Sequence, residues 1–257
     1  MKYLLRGAIV SITFGVASLA QAGVVTFTDS IVNPASYLVK IYNTDPSVTI
    51  AISATAAGNP APALQIRYTN SGGAVALDSY ESFTNSAFTY NPLSQGAIQT
   101  VNFSNDRFVD VGSILNPSLT VFSRPTVLQN GKYYFSPYLD PQVRGAFYTS
   151  ASPGPLNSLN FSLFDFVTGV SDPLQHPDFS AAGSAISFGF TNRFSLNTTG
   201  TPFSLDALFK FDNISITVNG VPEPSEISLM FLGLAALGVS MMRRQRAPGG
   251  EEQAGKG

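Results

Sequence analysis

Carboxyl groups are the side chains of this sequence whose spacing most directly suggests a reaction, because two of them placed across a glycosidic bond can hydrolyse it. Residues 23–221 contain one glutamate, Glu81. The candidate partners are aspartates in two groups, namely Asp106 with Asp110, and Asp165, Asp172 and Asp178 around a predicted loop. Acidic residues in turns are commonly solvated or cap backbone N–H groups. A hydrolase that acts through such a pair is therefore kept as the alternative function.

Other catalytic centres find less support in the residue types. His176 is the single histidine, so a site with several histidine ligands is excluded, and we expect His176 in a surface loop. The chain has no cysteine, which excludes disulfides, thiol catalysis and cysteine-ligated metals. No G-x-S-x-G pattern marks a nucleophilic serine. A non-enzymatic role is the favoured interpretation.

Aromatic side chains suggest contact with polysaccharide. Sugar binding uses amphipathic aromatic rings beside polar groups. The sequence has no tryptophan, and its candidate tyrosines lie in or after one predicted hairpin: Tyr133, Tyr134, Tyr138 and Tyr148. Because side chains alternate along a strand, we expect half of these rings to point into the core.

The segments that must position these residues have the pattern of strands. Apolar residues alternate with polar ones between turn residues, as in residues 48–53, where Val48, Ile50 and Ile52 share one face. We predict that residues 37–42 pair with residues 48–53 across a turn. No segment before residue 221 has a convincing helical period.

Two local signals are more specific. The dipeptide Asn130-Gly131 tolerates positive φ and predicts a tight hairpin. In the last strand, Phe209 and Phe211 occupy one phase of the alternation, while the apolar residues from Ile214 onward occupy the other. Both sets can face the core only if the strand contains an extra residue, so we predict a bulge at Asp212-Asn213.

The fold class follows from these strands. Many short strands separated by Gly, Asn and Pro turns predict an all-β domain over residues 23–220, built as a two-sheet antiparallel sandwich of the jelly-roll type. Eighteen of the 20 phenylalanines fall in this body, so we expect a phenylalanine-rich core. By analogy with jelly-roll proteins alone, oxygens of Asp29, Asp206 or Asp212 could hold Ca²⁺, although no EF-hand spacing is present. No other cofactor is expected.

The N-terminus has the pattern of a cleaved signal peptide. Lys2 and Arg6 precede an apolar stretch at residues 7–19. Ala20 and Ala22 then form a small-x-small site, so we expect signal peptidase to release residues 1–22 and to leave Gly23 as the new N-terminus.

The C-terminus has the pattern of a membrane anchor. The motif Val221-Pro222-Glu223-Pro224 ends the predicted domain, because two prolines hold the chain extended. An uncharged stretch at about residues 227–242 predicts one transmembrane helix. The basic cluster Arg243, Arg244 and Arg246 follows and is expected to stay in the cytoplasm.

This order of Pro-Glu-Pro, apolar stretch and arginines in residues 221–246 resembles the PEP-CTERM sorting signal of Gram-negative bacteria. The resemblance covers about one tenth of the chain. It implies processing by an exosortase-type enzyme at the inner membrane and delivery to the cell surface or its polysaccharide matrix. Members of the family usually end near the basic cluster, whereas this chain continues through residues 247–257, a small polar tail that we expect to be disordered.

Two segments of the exported domain carry a further resemblance. Residues 179–190 are similar to a stretch of many PEP-CTERM exported domains. Residues 211–216 resemble the closing strand of those domains and of jelly-roll carbohydrate-binding modules. Both resemblances imply the sandwich fold.

The charge balance narrows the class of partner. Residues 23–221 carry eight Lys and Arg against twelve Asp and Glu, a formal charge of −4. This mildly acidic balance argues against nucleic acid. The sequence therefore predicts an exported surface or matrix protein with a structural or weak carbohydrate-binding role, and a secreted polysaccharide hydrolase as the alternative.

Overall fold

The computed structural model describes residues 23–221, apart from 31, 59–60, 75, 112–119, 137–144 and 198–202, together with residue 234. The predicted signal peptide, transmembrane stretch and polar tail lie outside these residues, except for Leu234, and stay predictions. Among the residues that are described, no helix is both long and apolar enough to cross a membrane.

Strands make up most of the described chain. Three short helical turns occur within it, at Pro34–Ser36, Pro92–Gln95 and Ser158–Asn160. The strands are β1 (Val24–Asp29), β2 (Tyr37–Asn43), β3 (Thr49–Thr55), β4 (Ala63–Ala74), β5 (Ala76–Tyr90), β6 (Ala97–Asp110), β7 (Thr120–Gln129), β8 (Lys132–Phe135), β9 (Phe147–Ala151), β10 (Ser162–Asp165), β11 (Val170–Asp172), β12 (Ile186–Asn197) and β13 (Phe203–Val221).

The strands form two antiparallel sheets. Sheet A has the order β3-β4-β13-β6-β9, and β1 joins it on β13. β4 and β1 pair with successive parts of β13, from Phe203 to Phe211 and from Ile214 to Asn219 respectively. Sheet B has the order β11-β10-β8-β7-β12-β5-β2. The prediction of an all-β two-sheet sandwich is confirmed.

The main core lies between the sheets and is rich in phenylalanine. Phe190 of β12 in sheet B lies 5.0 Å from Phe211 of β13 in sheet A, measured between ring centroids. Phe194 and Phe209 make a second such contact at 5.2 Å. All four rings are fully buried, so each contributes roughly 1.5–3 kcal/mol of apolar burial.

The predicted pairing of residues 37–42 with 48–53 is wrong. β2 pairs with β5 in sheet B, whereas β3 pairs with β4 in sheet A, so the chain between them crosses from one sheet to the other. Side chains satisfy the backbone of this crossing: Asp45 N–H donates to Asn43 Oδ1 at 3.0 Å, and Ser47 N–H donates to Asp45 Oδ1 at 2.9 Å. A crossing held by such local bonds uses the same Asn, Asp and Pro residues as a hairpin turn, but the strands on either side of it do not have to pair with each other.

The two specific local predictions are confirmed. Asn130 and Gly131 have φ of 52° and 74° and join β7 to β8 through the pair Gln129–Lys132. In β13 the register with β6 shifts between Asp212 and Ser215, and Asn213 has φ of 47°. This extra residue lets the apolar side chains on both sides of the bulge face the core.

Sheet B curls so that its edge strand β2 approaches β10, which lies near the opposite edge. Tyr42 of the edge strand β2 lies 6.1 Å from Phe164 of β10, between ring centroids, although four strands separate them in the sheet. The turn after β10 also contacts Tyr42, since a Cβ on Gly169 would lie 2.2 Å from the Tyr42 ring. The face of sheet B that points away from the main core is therefore concave. We call it the outer face of sheet B.

Candidate ligand-binding face of the curled sheet

A second apolar cluster fills part of the outer face of sheet B. Its buried members are Tyr80, Tyr133, Phe135 and Phe164, and Tyr42, Leu128 and Phe166 pack against them. The Phe164 ring lies 4.5 Å from Tyr80 and 4.7 Å from Phe135. These rings come from β5, β8 and β10, because alternate residues of each strand point to this face.

A depression of about 310 Å³ opens beside this cluster. Tyr133 and Phe166 supply aromatic walls and meet edge to face at 5.0 Å. Lys40, Lys132 and Asp165 supply charged groups around it. Burial raises the pKa of Tyr133, so its hydroxyl is neutral at physiological pH. Aromatic rings beside donors and an acceptor form the surface that a sugar requires.

Two arginines extend the polar part of the same face. The guanidinium carbon of Arg193 lies 5.0 Å from the centroid of Tyr80 and 5.6 Å from that of Phe122. That of Arg124 lies 5.5 Å and 5.9 Å from the same two rings. Arg193 Nε and Nη2 donate to the two oxygens of Asp78 at 2.8 and 2.9 Å. These cation–π contacts fix both side chains on the outer face of sheet B.

Sequence reasoning missed this arginine group and Phe166. Thr191 pairs with Arg124, and Arg193 pairs with Phe122, in the β12–β7 register. Their juxtaposition depends on strands that are far apart in sequence, which periodicity does not reveal. A usable signal was present in β7, where Arg124 interrupts the mostly uncharged stretch of residues 120–129.

The predicted tyrosines do not form one site. Tyr133 lines the depression, whereas Tyr134 packs in the main core and is 6% exposed, so it offers no ring to a ligand. Tyr148 lies in β9 of sheet A, and its hydroxyl accepts a hydrogen bond from Arg107 Nε at 2.7 Å. Tyr138 lies outside the described residues. The alternation that predicted half of these rings inside the core therefore separates Tyr133 from Tyr134.

Glu81 is enclosed in the main core. Tyr68 and Ser79 donate hydroxyl hydrogen bonds to its carboxyl group, and Asn192 Nδ2 donates at 3.0 Å. Burial raises the pKa of Glu81 to about 7. The residue has no exposed surface, so its carboxyl group cannot reach a glycosidic bond.

The aspartates that were candidate partners serve the backbone and its neighbours. Asp165, Asp172 and Asp178 each accept a bond at 2.8–2.9 Å from the N–H group two residues later. These bonds hold the pKa of Asp165 and of Asp172 below the usual range. Asp106 accepts from Thr149 Oγ1 at 2.6 Å and from Asn213 Nδ2 at 2.7 Å.

Asp110, the second member of the first acidic group, ends β6 and is exposed. Asp106 lies opposite Asp212 in the β6–β13 register, and Asp212 is completely buried. Asp212 is therefore closed to a polysaccharide.

The three calcium candidates lie at two places. Asp29 pairs with Ile214 in the β1–β13 register, near Asp212, and it accepts a bond from the Tyr37 hydroxyl at 2.9 Å. Asp206 is six residues before Asp212 in β13 and forms an ion pair with Arg67 at 2.7 Å. Six residues of strand span ~20 Å, so the three carboxyl groups cannot share one ion. In the described part of the chain, no group of three or more acidic or histidine side chains is placed to hold a metal.

His176 lies in the loop before β12, as expected. Its Nδ1 is 2.7 Å from the carbonyl oxygen of Phe161, so the ring is tied to the backbone. Val221 ends β13, pairs with Ala97 and is 41% exposed. Pro222, Glu223, Pro224 and the basic cluster of Arg243, Arg244 and Arg246 lie outside the described residues, as do the leader residues Ala20 and Ala22.

Comparisons with known proteins gave structural likeness only. No protein-family model matches the chain, and no curated protein does so. Among solved structures, a carbohydrate-binding module described for specific mannan recognition is 10% identical, with a TM-score of 0.33, over 77% of this chain and 99% of that one. An exo-β-agarase is 12% identical, with a TM-score of 0.31, over 74% of this chain and 24% of that one. Similarities of this size carry no argument about ligand or activity.

Proposed function

We propose that this chain is an exported, non-enzymatic jelly-roll protein that contacts polysaccharide at the cell surface or in the extracellular matrix. The observation that carries the proposal is the depression on the outer face of sheet B. There Tyr133 and Phe166 provide aromatic surface, and Lys40, Lys132 and Asp165 provide hydrogen-bonding groups around it. A sugar needs both kinds of surface.

The two chain ends support export. Signal peptidase cleaves after Ala22, and an exosortase-type enzyme recognises Val221 to Pro224. In transit, residues 227–242 span the inner membrane and the basic cluster that begins at Arg243 keeps the C-terminus cytoplasmic. The proposal depends on the sequence pattern at both ends, together with a strand-built body between them.

The non-enzymatic part of the proposal is supported by the state of the carboxyl groups. Glu81 is enclosed between the sheets. Asp165 lies at the depression, but its two oxygens accept bonds from Val167 N–H and Thr168 Oγ1, both at 2.8 Å. A glycosidase needs one acid and one base or nucleophile that both face the scissile bond.

The full-length protein, purified in mild detergent and screened on a glycan array, tests this function. We expect binding to at least one polysaccharide and a loss of binding in Phe166→Ala. Phe147→Ala is the matched control, since Phe147 is also a half-buried phenylalanine but lies in sheet A. Release of reducing sugar that disappears in a single Asp→Asn variant would instead establish the hydrolase alternative.

A further inference from the structure

Positive charge is concentrated on one face of an acidic body. Residues 23–221 have a formal charge of −4. Yet four cationic residues, Lys40, Arg124, Lys132 and Arg193, lie on the outer face of sheet B or at its depression. The other described cations are engaged elsewhere: Arg67 pairs with Asp206, Arg107 is buried in the main core, and Lys210 lies over Phe108.

Arg124 is the unusual member of this group. It is 8% exposed, and its Nε has no hydrogen-bond partner. Within the described residues its guanidinium group forms no ion pair. It lies over the aromatic rings of Tyr80, Phe122 and Phe135, and the Tyr80 hydroxyl and the Asp78 carboxylate also act on its charge. A buried cation with no ion pair of its own is unfavourable. The arrangement therefore leaves a cation that an incoming anion would stabilise.

The surroundings keep Arg124 charged and oriented. Burial lowers its pKa to about 10, which still leaves the group protonated at neutral pH. The face of Tyr80 lies against both arginines, and Asp78 holds Arg193 by two parallel hydrogen bonds. Asp78 thus forms its ion pair with Arg193, and Arg124 has no ion pair of its own among the described residues. Of the two, Arg124 is the group placed for a ligand carboxylate.

A ligand at this position meets more than charge. Phe122 is half-buried and lies within 6 Å of both guanidinium carbons, so its ring borders the arginine pair. A ring beside guanidinium groups suits a sugar ring that bears a carboxylate.

We infer that the outer face of sheet B binds an acidic polysaccharide, with a uronate carboxylate on the guanidinium group of Arg124. This inference rests on the proposed function, because it names the class of polysaccharide that the face selects. Guanidinium and carboxylate are both planar and form two parallel hydrogen bonds, which makes arginine selective for such a group.

Binding of alginate, a linear polymer of uronates, to the full-length protein in detergent tests the inference against neutral dextran. We expect alginate to bind at least ~10-fold more tightly than dextran at low salt, because a charge-assisted hydrogen bond contributes about that factor. The advantage should shrink as salt rises. Arg124→Met should remove this advantage of alginate over dextran. Arg67→Met, which removes an exposed cation from sheet A, should change the binding of neither alginate nor dextran.

The outcomes separate this inference from the proposed function. Absence of binding to every polysaccharide on the array would overturn both. Equal binding of alginate and dextran, unaffected by Arg124→Met, would overturn the uronate inference and leave the proposed function in place. Polyglutamate carries carboxylates without sugar rings, so binding as tight as that of alginate would overturn the inference in favour of a general polyanion surface.

Discussion

The Tyr68 hydroxyl in sheet A donates a hydrogen bond to the Glu81 carboxyl group in sheet B, across the middle of the main core. Asn192, which lies beside Glu81 on the neighbouring strand, donates to both groups, at 3.0 Å to Glu81 and 2.8 Å to Tyr68. The sandwich is thus joined by a polar connection as well as by phenylalanine packing. Since one member ionises, the stability of the fold must depend on pH.

Glu81→Gln should abolish a pH dependence of stability between pH 5 and 8. Burial raises the pKa of Glu81 from 4.5 to about 7 in the folded protein. The folded state therefore binds the proton more tightly than the unfolded chain, and this contribution is fully present below pH 4.5 and lost as the pH rises through 7. For the native protein we expect urea unfolding to show roughly 2–3 kcal/mol less stability at pH 8 than at pH 5.

Asp206→Asn provides the control for this measurement. The hydrogen bond from Arg67 lowers the pKa of Asp206, so this exposed carboxyl group titrates below the pH window. Its removal should leave the difference between pH 5 and 8 as it is in the native protein. A Glu81→Gln variant that retained the full difference would show that other groups produce it.

Gly189→Ala should disrupt the fold, whereas Gly154→Ala should not. A Cβ at Gly189 would lie 1.8 Å from the backbone oxygen of Phe83, at the irregularity between β12 and β5. Backbone cannot yield to such a clash, so we expect a loss of more than about 3 kcal/mol or no folded protein. At Gly154 nothing lies within 4 Å, and the change should stay within ~0.5 kcal/mol.

Gly131→Ala measures the cost of backbone strain in the absence of a steric clash. A Cβ there meets nothing within 4 Å, but the residue has φ of 74°. We expect a cost of about 1–2 kcal/mol from the left-handed backbone alone. Thermal unfolding should give melting temperatures that rise in the order Gly189→Ala, Gly131→Ala, Gly154→Ala. Equal melting temperatures for Gly131→Ala and Gly154→Ala would contradict the argument from φ.

Local rules predicted the parts of this fold that depend on neighbouring residues. The Asn130-Gly131 hairpin follows from two residues that tolerate positive φ. The bulge at Asn213 follows from a change in apolar phase along one strand. The pairing of β2 failed because the same turn residues also suit a crossing between sheets, and only the choice of partner strand distinguishes the two.

The candidate site was predictable only in part, for a similar reason. Tyr133 was named because its hairpin is local. Arg124 and Tyr80 meet because sheet B curls, and curvature is a property of seven strands together. Sequence alternation likewise placed half of the candidate tyrosines in the core without indicating that Tyr134 would be one of them.

Deletion of Asn213 should convert the bulge into a regular strand without turning apolar side chains outward. Phe211 and Ile214, which are 0% and 1% exposed, are three positions apart, and the extra residue lets both face the main core. The deletion places them two positions apart, the spacing at which side chains of an unbulged strand share a face. We expect a folded protein that keeps its cooperative unfolding transition in circular dichroism.

Asn213→Gly is the control for that deletion. Glycine accepts the φ of 47° at this position, so the bulge is retained and only the bond from Asn213 Nδ2 to Asp106 is lost. This variant should fold with a change of about 1 kcal/mol. Loss of the cooperative transition in the deletion variant but not in Asn213→Gly would show that the fold requires the bulge itself.

Replacement of Pro222, Glu223 and Pro224 by alanine should retain the protein in the inner membrane. If an exosortase-type enzyme reads this tripeptide, the variant still enters the membrane through its apolar stretch but is not released from it. Fractionation of the native and altered proteins, followed by detection of the 23–221 body, measures the difference. We expect the native body at the surface and the altered one with the inner membrane.

The matched control for the sorting variant is Glu251→Ala with Glu252→Ala, which changes charge beyond the arginine cluster but not the tripeptide. Acidic residues contribute little to membrane orientation, so delivery should be unchanged. Protease added to intact spheroplasts should digest the retained body of the tripeptide variant, because the proposed orientation places the chain beyond Arg243 in the cytoplasm and the body on the other side of the membrane. A protected body would mean that the orientation is inverted, and surface delivery of the tripeptide variant would mean that another segment carries the address.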